Sequence, residues 1–189
     1  MKKLLYTLLA VSLVFSACEE EVVAPNTNNN NNNSALAIGD SHQGGIIFYL
    51  DANGGGLIAA PSDQGQALWG CWKTLIGANG TAIGTGAQNT IDIEAGCNES
   101  GTAADICANL TLGGFSDWFL PSIDELNEMY VNLHQQGFGS FANDITTPYW
   151  SSTEYNSEHA WRFWFNNGDP GGWGYREFEI HYVRAVRAF

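Results

Sequence analysis

Four cysteines, four histidines and a group of aromatic residues near the carboxyl end are the side chains best suited to chemistry in this 189-residue chain. Metal and nucleophilic chemistry need such groups close together. Zinc ligands recur two to four residues apart, and a hydrolase serine sits in a Gly-x-Ser-x-Gly turn. Cys71, Cys97 and Cys107 stand farther apart than that, His42, His134, His159 and His181 are isolated, and no Gly-x-Ser-x-Gly occurs. No catalytic residue and no metal ligand is therefore assigned. Asp51 and Asn53 have the side chains of a calcium loop, but calcium takes six to eight oxygens and the rest of that segment is glycine, so a tight turn is expected. Calcium is left as a cofactor without a motif. Binding chemistry has better candidates in Trp164, Trp173 and Tyr175, joined by Asn167 and Asp169. Aromatic faces offer large apolar area at small entropic cost, and their polar edges suit mixed ligands. Trp173 lies among Gly171, Gly172 and Gly174, as a loop residue would, whereas Trp164 fits a core or an exposed position equally well. Asn167 and Asp169 are also what a hairpin turn requires.

The amino-terminal segment addresses these groups to a compartment. Lys2 and Lys3 precede an apolar run from Leu4 to Phe15, then Ser16, Ala17 and Cys18. A basic start, an apolar stretch of about a dozen residues and small residues at the end make an export signal, and the stretch is too short to span a bilayer of about 30 Å. The expectation is a cleaved signal peptide over 1–17. Small residues directly before a cysteine resemble the lipobox of bacterial lipoproteins, which implies acylation of Cys18 and anchoring in membrane lipid. Glu19, Glu20 and Glu21 resemble the surface-export signal of some Gram-negative lipoproteins. With the asparagine run 28–33 they make 18–34 a solvated tether, because such residues bury too little apolar surface to offset the entropy of ordering.

Export has consequences for charge and redox state. Removal of 1–17 takes two of seven basic side chains and none of twenty acidic ones, which leaves 5 minus 20, a net charge of −15. Nucleic acid is excluded as a partner, since it demands a basic footprint, and so is an anionic membrane surface beyond the lipid anchor itself. In an oxidising compartment, three remaining cysteines read as one disulfide plus one buried thiol. Cys97 with Cys107 closes the shortest loop, but all three pairings stay open.

Residues 35–189 carry the pattern of one folded domain. Gly44 to Leu50, a glycine-rich reversal at Asp51 to Gly56, and Leu57 to Ala60 read as a β-hairpin. Helices are expected from Thr85, with Gln88 completing a capping box, to Gly96; from Ser100 or Thr102 to Leu110; and from Ser122, boxed with Glu125, to Gly137. Strands return at Tyr149 to Ser152, His159 to Asn166, Tyr175 to Glu179 and Tyr182 to Arg187. Trp161, Phe163 and Phe165 fall on one face of the second of these and Trp164 on the other. Hairpin, helices, then an antiparallel meander make an α+β domain.

The run Gly114-Phe115-Ser116-Asp117-Trp118-Phe119-Leu120-Pro121-Ser122 with Glu125-Leu126, then Tyr149-Trp150-Ser151-Ser152-Thr153-Glu154, Ala160-Trp161, and Tyr182-Val183-Arg184-Ala185-Val186-Arg187, together resemble the C-terminal domain family of collagen-like bacterial adhesins, the Lcl C-terminal domain. The resemblance implies a C-type-lectin-like fold and a role in adhesion or ligand binding at the envelope. The chain lacks the collagen-like stalk of those adhesins, and it lacks the Glu-Pro-Asn and Trp-Asn-Asp signatures of calcium-dependent sugar-binding lectins. Three functions remain to be separated. The first is a non-enzymatic module for a glycan or surface polymer, held at the outer membrane and displayed at the surface. The second is a docking unit for a surface protein. The third is an enzyme, since Leu120-Pro121-Ser122 also resembles the formylglycine-generating oxidases; their reactive cysteine pair near the carboxyl end has no counterpart here, because Cys107 is the last cysteine and 82 residues follow it. Arg184 and Arg187 are expected to pair with carboxylates such as Glu154 or Asp117.

Overall fold

The computed structural model describes residues 35–189, so the signal peptide, Cys18 and the tether lie outside the described residues. Two sheets and three helices make up the domain, an α+β architecture. The first sheet runs β1 (Ser41–His42), β2 (Gly45–Leu50), β3 (Gly56–Ala59) and then β9 (Val186–Ala188), all antiparallel. The expected hairpin is β2 and β3. Its reversal is set by Asp51, whose Oδ1 accepts from the N–H groups of Asn53 at 2.7 Å and Gly55 at 3.0 Å, while Gly54 takes a left-handed φ of 89° that a side chain would resist. The turn reading of Asp51 and Asn53 therefore holds.

Both faces of this hairpin are buried. Ile47 and Ile58, opposite each other in register, enter one apolar cluster with Trp69, Ile93, Leu120 and Trp150; Phe48 and Leu57 enter the other with Leu126, Met129, Tyr149 and Phe163. After β3 the chain runs through β4 (Gln66–Ala67), α1 (Gly86–Gly96), α2 (Ala103–Ala108) and α3 (Ile123–Asn132). The capping box of α3 forms as its sequence predicts: Ser122 Oγ accepts from Glu125 N at 3.3 Å, and the Glu125 carboxylate accepts from Ser122 N at 2.8 Å and from Gly84 N at 2.7 Å. Burial pushes the Glu125 carboxyl above its usual range, against those backbone donors. Thr102, not Ser100, caps α2, which stops at Ala108 rather than Leu110. The box expected at Thr85 does not form. Thr85 Oγ1 donates to Ala82 O at 2.6 Å, and Gln88 turns along the helix to Asp92 instead.

The second sheet has the order β4, β8 (His181–Tyr182), β5 (Tyr149–Glu154), β6 (His159–Phe163), β7 (Trp173–Tyr175). The strand expected from Tyr175 to Glu179 is thus two residues earlier, and the chain turns just after Tyr175. The expected meander exists as β5, β6 and β7, but β8 lies parallel to β5 at Tyr149 and Tyr182. The single strand expected from Tyr182 to Arg187 is split between the sheets. Arg184 is the reason: its guanidinium is fully buried, bonded to Asp63 at 2.7 Å and to the carbonyls of Ala60 and Gly139 at 2.8 Å each, which takes that residue out of either ladder.

Among the described residues there is one disulfide, Cys71 to Cys97, and Cys107 is a free, buried thiol whose pKa burial pushes upward. The shortest loop is not the one closed, because Cys107 faces inward from α2 among the core side chains. The disulfide closes a 26-residue separation. Loops of that size stabilise by about 3 kcal/mol through the unfolded chain. Reduction is therefore expected to lower the free energy of urea unfolding by roughly that amount, and Cys107 should react with a thiol reagent only once the protein unfolds.

Candidate functional site

Strands β6 and β7 pair so that His159 lies opposite Tyr175 and Trp161 opposite Trp173. Alternate residues of a strand share a face, so these four rings stand together on one side. Phe163 continues the same face under α3, where it is fully buried; toward His159 the face is only half-buried. Tyr155, in the turn between β5 and β6, adds a ring beside them. The contacts run on without a break: Trp161 to Tyr155 at 5.6 Å between ring centroids, Tyr155 to Trp173 at 6.0 Å, Trp173 to His159 at 3.9 Å, and His159 to Tyr175 at 4.4 Å. From Tyr175 the row extends to Phe178 and then to Trp72, each step 6.3 Å. Seven rings form a continuous ridge. Tyr155 is 49% exposed, Trp173 41%, Tyr175 43% and Phe178 68%. Buried aromatics are ordinary; four exposed ones in contact are not.

Of the five candidates named from sequence, Trp173 and Tyr175 lie in this ridge. The other three lie around the β6 to β7 turn. Trp164 is half-buried, beside the Arg162 guanidinium at 5.5 Å, and covers Gly171, where a Cβ would fall 2.3 Å from its ring. Asn167 accepts from Asp169 N at 3.0 Å and Asp169 from Gly171 N at 2.9 Å, two successive side-chain-capped turns. These polar groups shape the hairpin. Sequence reasoning did not select Tyr155, His159, Trp161, Phe178 or Trp72. His159 and Trp161 could have been found from strand alternation once Trp173 was placed; Trp72, 106 residues from Phe178, carries no local signal.

The rings project outward because their neighbours in sequence are anchored inward. Glu154 precedes Tyr155, Arg176 follows Tyr175, and the two meet in a buried ion pair at 2.8 Å. Arg176 also donates to the carbonyls of Gly70, Thr74 and Asn156 and lies 3.9 Å over the Trp69 ring; Glu154 accepts from the N–H groups of Ile76 at 2.9 Å and Gly77 at 2.6 Å. Burial pulls the Arg176 pKa down and Glu154 opposes that shift. On the inner side of β7, Gly174 lets Trp150 pack against the strand, since a Cβ there would fall 2.8 Å from the indole. The pairing of Arg187 with Asp117 is as expected, whereas Arg184 takes Asp63, and Glu154 belongs to Arg176.

Other groupings offer less. Among the described residues, the one cluster of metal-ligating types is Cys71, Cys97 and Glu99, and there the two sulfurs are bonded to each other. A cavity of about 590 Å³ lies between α1 and the Asp117–Phe119 segment, floored by Ile91, Ala95 and Trp118. Its two carboxylates do not converge on a reacting centre: Asp117 is bonded to Arg187, which holds its carboxyl below the usual range, and Glu94 is pushed up by burial. No helix among the described residues is long and apolar enough to cross a membrane.

The geometry is that of an α+β domain that carries a row of aromatic rings, four of them exposed, on one sheet face. Residues 61–187 match the Lcl C-terminal domain family, and the chain belongs to that family. A comparison with curated proteins finds no match.

The buried pair and the ridge separate cleanly by mutation. Glu154→Gln leaves the Arg176 charge uncompensated in the interior and is expected to cost about 3–5 kcal/mol in chemical denaturation. Trp173→Ala, at an exposed position, is expected to cost about 1 kcal/mol or less.

Proposed function

We propose that the protein is a non-enzymatic binding module of the cell envelope, anchored through acylated Cys18 at the outer membrane, exposed at the surface, and binding a glycan or surface polymer on the aromatic ridge. The observation that carries this reading is the unbroken row of rings from Trp161 to Trp72, four of them exposed. Sugar rings present apolar C–H faces edged by hydroxyls, and flat aromatic faces with polar edges complement both. Membership of the Lcl C-terminal domain family supports a role in attachment, the role that the resemblance to collagen-like adhesins implies. Cysteine chemistry gains no support, since two of the three cysteines in 35–189 form a disulfide and the third is buried. A docking surface for a protein is the second reading. It is favoured by Phe178 and by Ile180, which is 55% exposed beyond the end of the ridge.

The full-length protein, purified in a detergent without a sugar headgroup, is expected to give reproducible signals on a glycan array, and Trp173→Ala to reduce them at least tenfold while leaving the circular dichroism spectrum unchanged. An array silent for the folded protein would favour the docking reading. Anchoring is checked separately: cells grown with an alkyne fatty acid should label the protein, and Cys18→Ala should abolish the label and release the protein from membranes.

A further inference from the structure

Building on the glycan reading, we infer that the ridge takes an extended, uncharged polysaccharide chain, several consecutive sugar units long, and that it does not take a polyanion. Two independent observations lead there, one from charge and one from extent.

Of twenty acidic residues in the chain, all but Glu19, Glu20 and Glu21 fall within 35–189, which leaves seventeen; of seven basic ones, all but Lys2 and Lys3 do, which leaves five. Each of the four arginines is already bonded to a carboxylate of the domain itself: Arg162 to Glu179, Arg176 to Glu154, Arg184 to Asp63 and Arg187 to Asp117. Lys73 is the remaining cation among the described residues, and its ammonium lies 3.8 Å over the Trp72 ring at one end of the ridge. Against this one cation, residues 35–189 carry thirteen carboxylates that no arginine neutralises, including Glu158 and Glu177, each adjacent in sequence to a ridge residue. Sulfated or phosphorylated polymers bind by exchanging counterions for lysine and arginine, and like charge repels them. This surface has no such footprint to give.

A cationic polymer would be drawn to the acidic surface everywhere, without using the ridge. Glu179, at the end of the turn that follows Tyr175, is occupied by Arg162 and by the N–H of Tyr175 at 3.0 Å. Recognition at the rings therefore rests on apolar contact, which salt does not screen. The extent of the ridge sets the length of the ligand. Four exposed rings come from three segments: the β5 to β6 turn, β7, and the loop after it. The exposed rings follow one another at 6.0, 5.9 and 6.3 Å, from Tyr155 to Trp173, Tyr175 and Phe178, so a single sugar stacked on one aromatic face leaves the others wet.

The test uses the full-length protein in detergent and three sets of immobilised probes: neutral gluco-, manno- and N-acetylglucosamine oligosaccharides of two to six units, deacetylated glucosamine oligomers, and heparin. The expected result is binding to a neutral series that survives 0.5 M sodium chloride and strengthens at least about tenfold from dimer to hexamer, the step that 1.4 kcal/mol of added contact makes. Tyr155→Ala and Trp173→Ala should each flatten the length dependence, and Lys73→Ala should leave it intact. Salt-sensitive binding to heparin or to the glucosamine oligomers, with the neutral series silent, would overturn this inference while sparing the glycan reading. So would neutral binding that does not grow with length. Silence of every probe would sink both.

Discussion

The ion pair of Arg176 with Glu154 is the constraint on which the outer surface depends. Neither residue can be left alone where it sits: an unpaired charge in an interior costs several kcal/mol, and both side chains are almost completely buried. The pair is tolerated because the surrounding backbone satisfies all of it but Arg176 Nη2, which is buried without a hydrogen-bond partner. Three carbonyls accept from the guanidinium and two N–H groups donate to the carboxylate, from the 70–77 segment and the turn at Asn156. Those same segments carry Trp72 and Tyr155. Fixing the charges therefore fixes the loops, and strand alternation does the rest: with 154 and 176 turned in, 155 and 175 turn out. The Cys71 to Cys97 bond ties the base of the 70–77 segment to the end of α1, so the least regular part of the ridge is held covalently as well.

The first sheet and α3 serve a different purpose. Both faces of the β2 to β3 hairpin are buried, and β9 closes against β3, so the first and last strands of the domain meet in one sheet. α3 covers the Phe163 end of the face that β6 and β7 share, while the other end is only half-buried. A uniform helix cover would have produced a second core. Its partial cover produces a core and a contact surface from one strand.

The elements that were legible in the sequence are those whose signals are local. Ser122 and Glu125 could be read as a cap because both partners lie within one turn. Asp51 and Gly54 could be read as a reversal for the same reason, and Trp173 could be read as exposed because glycines surround it. Failures came where a competing partner won, near or far in sequence. Thr85 has the form of a cap, but the carbonyl of Ala82 took its hydroxyl. Tyr182 to Arg187 has the alternation of one strand, but Asp63, 121 residues away, draws Arg184 inward and divides it. The disulfide could not be chosen from loop length, since the packing of α2 decides that Cys107 is core. Three of the seven rings were invisible on the same grounds: Tyr155, Phe178 and Trp72 lie on segments that the buried pair brings together, a pair that spans 22 residues on its own and over a hundred through Gly70.

The free edge of the second sheet shows how such a surface avoids indiscriminate pairing. β7 is the last strand, and an open edge invites a further strand from any extended chain. In β7 the inward-facing groups of Gly174 pair with Ala160, so the outward groups belong to Trp173 and Tyr175. Those of Tyr175 are already taken: its N–H donates to Glu179 Oε1 at 3.0 Å and its carbonyl accepts from Glu179 N at 3.2 Å. A strand only three residues long, with one of its two outward residues closed by its own turn, gives a partner chain almost no ladder to extend. Backbone pairing is thereby suppressed at the place where the rings are most exposed, and contact through the ring faces is what the edge leaves available.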